Sequence, residues 1–161
     1  MSLRSIDKDY DALTITALAD FDASPEQVWQ LWADPRKLER WWGPPTHPAT
    51  VQRHDFFPGG AVTYFMTGPD GETYHGWWDM TAVDPVTHLQ FRDGFADKDG
   101  TRRLDMPVST ASVTFSGSGA GTVMEMVTSF ADRNQMEEQI NMGALEGAAS
   151  AMAQMDSVLA G

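Results

Sequence analysis

The chain has 161 residues, of which 42% are hydrophobic and 21% are charged; this length and composition indicate one folded domain and exclude a disordered chain. The net charge of −12 opposes binding to nucleic-acid phosphates and to anionic membranes. Cysteine is absent, which excludes disulfides, thiolate nucleophiles and cysteine-based zinc sites, and makes the cytoplasm the simplest expected location. Because no apolar run approaches the ~18 residues of a membrane span, we expect neither membrane insertion nor a secretion signal.

The beginning of the chain predicts a loose segment followed by a strand. Residues 1–12 are polar, and we expect them to form a flexible N-terminal segment ahead of a single domain over residues 13–161. Apolar and polar residues alternate with period two over residues 13–21, which predicts the first strand of that domain.

Two short helices are predicted next. Ser24-Pro25-Glu26-Gln27 combines a capping serine, a proline at the first helical position and a capping-box glutamine, so it predicts a helix that runs to about Ala33. Asp34-Pro35 repeats the start signal and predicts a second helix to about Trp41. The Gly43-Pro44-Pro45 sequence must end this second helix.

From Val51 to Phe130 the pattern becomes a series of strands separated by turns. A polar loop is predicted from about Asp93 to Asp105. A strand that starts at Val51 opens this region. The strands predicted after it cover residues 61–66, 73–83, 88–91, 108–115 and 122–130.

One long helix is predicted from Asp132 to about Leu159. It carries an apolar stripe, which must be buried against the sheet and therefore favours an α+β fold with an antiparallel sheet and helices on one face. Beside that stripe runs a second one of very small residues, which permits either close packing of helix on sheet or room for a ligand. The two stripes consist of Met142, Leu145, Ala148, Met152, Met155 and Leu159, and of Gly143, Ala144, Gly147 and Ala151.

Several motifs, in order along the chain, resemble the SRPBCC (START-like, helix-grip) superfamily, in the branch similar to the activator of heat-shock-protein-90 ATPase. They include Asp22-Ala23-Ser24-Pro25, Arg40-Trp41-Trp42-Gly43-Pro44, Gly76-Trp77-Trp78 and Met142-Gly143-x-x-Glu146-Gly147. The resemblance implies a helix-grip fold, in which a curved antiparallel sheet wraps around a long C-terminal helix and two short helices follow the first strand. It also implies a cavity between sheet and helix that takes hydrophobic small molecules.

Candidate ligand-binding residues are chosen for their small, adaptable or aromatic side chains near this cavity. Methionines adapt to irregular ligands, although ordinary core packing explains any single one of them better. Trp77 and Trp78 are adjacent on a strand and point to opposite faces; Trp78 shares its face with Met80, and we favour that pair for the cavity. The complete set is Met66, Trp78, Met80, Phe91, Met106, Met142, Leu145, Ala148 and Met152.

Catalytic chemistry has weaker support in the sequence. His75, Asp79 and Glu146 are candidate acid/base groups if they are desolvated in the cavity, but solvent exposure explains each of them better. The four histidines form no metal-ligand pattern, and no nucleotide fingerprint or nucleophile motif is present, so we expect no metal and no cofactor.

The sequence therefore predicts a carrier or sensor that binds a hydrophobic or aromatic small molecule. One alternative is an enzyme of cyclase, aromatase or hydrolase type that uses the same cavity. The other is an interaction module, either a homodimer or a chaperone-associated domain, the latter by analogy alone.

Overall fold

The computed structural model describes residues 2–161, and Met1 lies outside the described residues. The described chain forms one curved antiparallel sheet of eight strands in the order β1-β2-β8-β7-β6-β5-β4-β3, with helices against it. This is the helix-grip arrangement of an α+β fold, as predicted. The strands are β1 Ser2–Asp9, β2 Thr14–Phe21, β3 Ala49–His54, β4 Ala61–Thr67, β5 Thr73–Asp84, β6 His88–Ala96, β7 Ser109–Ser118 and β8 Gly121–Ser129. The helices are α1 Pro25–Ala33, α2 Pro35–Trp41, α3 Arg133–Asn141, α4 Ala144–Met152 and α5 Met155–Ala160.

The N-terminal segment that we expected to be flexible instead forms strand β1 at one edge of the sheet. Its residues pair with β2, with Ile6 opposite Ala17 and Asp9 opposite Thr14. Leu3 and Ile6 pack against the core, and this apolar contact offsets the polar character of the rest of the strand. A tight turn that begins at Asp9 returns the chain to β2. The pairing of β1 with β2 was not predicted, because the local sequence carries no signal for it.

The two short helices begin where the capping signals predict. In α1, Ser24 Oγ accepts a hydrogen bond from the Gln27 backbone N–H at 3.2 Å, and Gln27 Oε1 accepts one from the Ser24 backbone N–H at 3.0 Å. In α2, Asp34 Oδ1 accepts from the Arg36 backbone N–H at 2.9 Å. These caps satisfy helix N–H groups that would otherwise lack partners.

The C-terminal helix is interrupted twice, whereas the sequence predicted one continuous helix over residues 132–159. Gly143 has a φ of 89° and separates α3 from α4, because a left-handed residue cannot continue a right-handed helix. A second break separates α4 from α5, where Gln154 Nε2 donates hydrogen bonds to the carbonyls of Trp41 and Gly43 at 3.3 and 2.6 Å. None of the described helices is long and apolar enough to cross a membrane.

Large aromatic side chains fill the interior between the middle of the sheet and α1, α2 and α5. Trp78 and Phe91 stack with ring centroids 3.9 Å apart, and Trp32 meets Trp41 edge-on at 4.8 Å. Each such ring buries about 150–250 Å², which at ~25 cal/mol per Å² contributes roughly 4–6 kcal/mol before conformational entropy is counted. This part of the interior is occupied by protein atoms, so any space for a ligand must lie elsewhere along the C-terminal helix.

Candidate ligand-binding site

Unfilled space lies beside α4, where the stripe of small residues faces the sheet. We call the larger cavity the apolar chamber; its volume is about 270 Å³. A Cβ atom added to Gly147 would meet no other atom within 4 Å, so close packing does not require glycine at this position. The apolar chamber is lined by Trp41, Trp42, Pro44, Met66, Met126, Ala144, Gly147, Ala148, Ala151 and Met152.

A second cavity of about 170 Å³, which we call the polar chamber, shares Ala144 and Ala148 with the first. It differs from the apolar chamber because hydroxyl, amide and carboxyl groups lie among its apolar walls. Its lining consists of Ile15, Tyr64, Asp93, Gly94, Phe95, Ser109, Thr128, Phe130, Gln139, Ala144 and Ala148. Together the two chambers form an amphipathic site under one helix.

The polar chamber contains a phenol–carboxyl pair. Tyr64 Oη donates a hydrogen bond to Asp93 Oδ1 at 3.2 Å, from β4 to β6 across the intervening β5. Burial, which disfavours the ionised carboxylate, raises the pKa of Asp93 to about 7, although the hydrogen bond from Tyr64 acts in the opposite direction. Burial also raises the pKa of Tyr64, and the negative charge of Asp93 adds to that effect. At neutral pH this carboxyl group can therefore both donate and accept a proton.

Two indole N–H groups lie next to this pair. Nε1 of Trp42 and Nε1 of Trp78 are buried and have no hydrogen-bond partner of normal geometry among the described residues. Their rings lie 6.0 and 6.1 Å from the Tyr64 ring, and their N–H dipoles act on the Tyr64 hydroxyl to lower its pKa, against the larger effect of burial. Trp42 lines the apolar chamber, whereas Trp78 is fully buried in the core and lines neither chamber.

The sheet register positions this pair. Tyr64 lies opposite Gly76 on β5, and a Cβ at Gly76 would collide with the Tyr64 ring, so the absence of a side chain lets the ring lie across the neighbouring strand. On β6, Asp93 lies two residues beyond the buried Phe91 and opposite Trp78. Alternation along the strand therefore directs Asp93 to the same inner face as Phe91.

Comparisons with known proteins identify the family. The model of the family described as "Activator of Hsp90 ATPase homolog 1-like protein" matches residues 22–160. The chain belongs to this family. The match agrees with the predicted SRPBCC superfamily, whose fold commonly binds hydrophobic ligands. No match was found among curated protein sequences.

Solved structures of similar proteins cover almost the whole chain. Protein Ms6760 from Mycobacterium smegmatis is 48% identical, with a TM-score of 0.91 over 98% of this chain and 97% of that one. A protein from Arthrobacter aurescens is 43% identical, with a TM-score of 0.95 over 99% and 92% of the two chains. A Rhodobacter sphaeroides protein is 20% identical, with a TM-score of 0.82 over 97% of each chain. At this identity the similarity is evidence for the fold only. The Hsp90 ATPase activator homolog 1-like fold therefore extends over essentially all of this chain.

In this member of the Hsp90 ATPase activator homolog 1-like family, the predicted ligand-binding residues are divided among four places. Met66, Ala148 and Met152 line the apolar chamber. Trp78, Met80 and Phe91 face inward, but they are buried in the filled core and line neither chamber. Leu145 packs instead on the cluster of Ile15, Phe130 and Met136, whereas Met106 and Met142 border an open groove of about 410 Å³.

The three predicted acid/base residues lie outside both chambers. His75 stacks on Phe65 with ring centroids 5.3 Å apart, and alternation along β5 places it on the outer face with Trp77. Asp79 is on the same face and pairs with Arg102, which lowers the pKa of its carboxyl group. Glu146 is exposed on α4. Within residues 2–161, no three histidine, aspartate or glutamate side chains are grouped so that they could hold a metal ion.

The polar residues of the site were missed because the strand predicted over residues 88–91, which corresponds to β6, ended too early. With β6 ending at residue 91, Asp93 was assigned to a polar loop, whereas the strand continues to Ala96. The inward alternation of Leu89 and Phe91 would have predicted an inward Asp93 if it had been extended by two residues. Its partner Tyr64 lies on a separate strand, and no local signal connects the two residues.

Proposed function

We propose that this protein binds an apolar, ring-bearing small molecule between its sheet and α4, and that it acts as a carrier or sensor of that molecule. The observation that carries this proposal is the apolar chamber of about 270 Å³ beside a helix face made of glycine and alanine. A cavity of ~150 Å³ lined by apolar side chains is already large enough to bind benzene. The apolar chamber therefore has room for a larger ring.

The size of the site also limits the expected affinity. A ten-carbon aromatic such as naphthalene, at about 0.5–0.7 kcal/mol per non-hydrogen atom, would bind with a dissociation constant of about 10–200 µM. This is weaker than a natural ligand that also uses the polar chamber, but it is measurable. Naphthalene is therefore a suitable probe of the apolar chamber alone.

The test is a titration of the protein with naphthalene, followed by backbone amide NMR shifts. We expect the largest chemical-shift changes at the backbone amides of Gly147 and Ala148, because these two residues line the apolar chamber. The Ala148→Leu variant should weaken binding at least tenfold, because the added side chain occupies space that both chambers share. Ala153→Leu is the matched control, since Ala153 is exposed and lies just after the same helix.

The proposal fails if naphthalene shifts no amides of α4, or if Ala148→Leu binds as tightly as the wild type. Circular dichroism shows whether each variant is folded. If Ala148→Leu does not fold, Gly147→Leu takes its place as the variant that fills the chamber, because no atom obstructs a Cβ at that position.

The Tyr64–Asp93 pair favours one alternative, an enzyme of cyclase, aromatase or hydrolase type that acts in the same cavity. A carboxyl group with a pKa of about 7 suits general acid–base catalysis at neutral pH. Incubation with aryl esters and linear diketones, followed by mass spectrometry, separates the two functions. Product formed by the wild type and absent with Asp93→Asn would favour the enzyme, whereas a bound and unchanged ligand would favour the carrier.

A further inference from the structure

We infer that the polar chamber selects ring-bearing ligands with a neutral hydroxyl group and rejects those with a carboxylate. This inference rests on the proposed function, because it concerns the end of the ligand that would leave the apolar chamber. The expected ligands are phenols, or alcohols attached to an apolar ring system.

The carboxyl group of Asp93 has one oxygen open to accept a hydrogen bond. Asp93 Oδ1 accepts a hydrogen bond from Tyr64, whereas Oδ2 accepts none from another described residue. Asp93 is half-buried and lines the polar chamber, so Oδ2 is available to a molecule in that space. A ligand hydroxyl that reached it would form a hydrogen bond to a charged or partly charged acceptor, which is stronger than one between neutral groups.

Hydrogen-bond donors also line the polar chamber. A hydroxyl group both donates and accepts hydrogen bonds. The hydroxyls of Ser109 and Thr128 and the side-chain amide of Gln139 are among the lining groups of this chamber. A ligand oxygen in the polar chamber therefore finds donors as well as the Asp93 acceptor.

The charge of the polar chamber disfavours a carboxylate. Asp93 and Tyr64 are the only titratable side chains among the described residues that line the polar chamber, and no lysine, arginine or histidine is among them. Arg92, the next residue along β6, is exposed and lies near Trp77 and Asp79 on the outer face. A ligand carboxylate would therefore meet a second carboxyl group in a poorly solvated space without a cation to compensate.

The experiment compares three ligands that share one ring system: naphthalene, 2-naphthol and 2-naphthoate. Their affinities for the wild-type protein are measured by amide NMR titration at pH 7.5. We expect 2-naphthol to bind at least tenfold more tightly than naphthalene, and 2-naphthoate at least tenfold more weakly than naphthalene. The wild-type series tests the inference without any variant.

Two variants identify the residue responsible. Asp93→Asn keeps the size of the side chain and removes its charge, so the preference for 2-naphthol over 2-naphthoate should fall at least tenfold. Glu146→Gln is the matched control, because it neutralises an exposed carboxylate on α4, and it should keep the wild-type preference.

The possible failures are distinguishable. If naphthalene binds but 2-naphthol binds no more tightly, or 2-naphthoate binds equally well, the inference is overturned and the proposed function remains. If none of the three ligands binds, the proposed function fails and the inference fails with it. An unchanged preference in Asp93→Asn would contradict the role given to this carboxyl group.

Discussion

The buried carboxyl group of Asp93 makes a specific prediction about how stability depends on pH. Its pKa is raised from an ordinary value of 3.8 to about 7 in the folded protein. Between those two values the folded state holds a proton on Asp93 that the unfolded state has lost. The contribution of Asp93 to the free energy of unfolding therefore falls as the pH rises from about 4 to about 7, and it is constant above that range.

The magnitude follows from the shift. At ~1.4 kcal/mol per unit of pKa, the ionised carboxylate destabilises the fold by at most about 4 kcal/mol above pH 7. Of this, about 2–3 kcal/mol develops between pH 5 and pH 8. Water in the polar chamber would reduce the effect, so we expect Asp93→Asn to become more stable relative to the wild type by at least ~1 kcal/mol over that interval.

Urea unfolding at pH 5, 6, 7 and 8, followed by tryptophan fluorescence, measures this difference. Asp79→Asn is the control, because Arg102 lowers the pKa of Asp79 through its hydrogen bonds and its charge. The stability that Asp79 contributes is present above its ordinary pKa and is lost only as the pH falls through the lower folded value, so its difference curve should be flat from pH 5 to pH 8. A flat curve for Asp93→Asn as well would refute the argument that this carboxyl group is desolvated.

Three further predictions concern the framework around the site. Ser24→Ala removes the acceptor for the Gln27 N–H and should lower the free energy of unfolding by about 1 kcal/mol in the same urea assay. Gly143→Ala places a residue with a side chain where the backbone is left-handed, so it should lower the free energy of unfolding by about 1–2 kcal/mol. A change near zero would show that the α3–α4 junction rearranges freely. Gly76→Ala should displace the Tyr64 ring and reduce 2-naphthol affinity at least threefold by NMR titration. Gly117→Ala is the matched control and should leave that affinity unchanged, because Gly117 is exposed on β7 and an added Cβ would meet no atom within 4 Å.

The elements of the fold that local chemistry determines could be predicted from the sequence. The starts of α1 and α2 follow from the side chains of Ser24, Gln27 and Asp34, whose hydrogen bonds to nearby N–H groups require no tertiary structure. Strand β1 was missed because its order comes from pairing with β2. The interruption at Gly143 was missed because a glycine in a helical pattern signals either a small helical residue or a break, and only the surrounding packing decides between them.

The site was predicted in outline but not in its polar residues. The small residues of α4 permitted either close packing or unfilled space, because side-chain volume is a property of the sequence itself, and the apolar chamber lies beside them. Which large side chains fill the interior depends on the positions of several strands and helices at once, and for that reason Met80 and Phe91 could not be separated from true lining residues such as Met66. The pairing of Tyr64 with Asp93 depends on the order of β4, β5 and β6 in the sheet, which no local motif encodes.

The two breaks divide the C-terminal helix into segments with different roles: α5 packs into the core, and α4 lines the two chambers. Segment α5 is held in place by Gln154, which bonds to the end of α2, and it buries Met155 and Val158 in the filled core. Segment α4 contributes mainly alanine and glycine to the inner face, so it adds little apolar contact and leaves the chambers open. The tryptophan-rich core can therefore supply the stability that α4 does not. It follows that filling the chambers, as in Ala148→Leu, should raise stability or leave it unchanged while weakening naphthalene binding at least tenfold. A loss of stability of more than ~2 kcal/mol in both Ala148→Leu and Gly147→Leu would mean that the space beside α4 is too tight to accept added atoms, a ligand included.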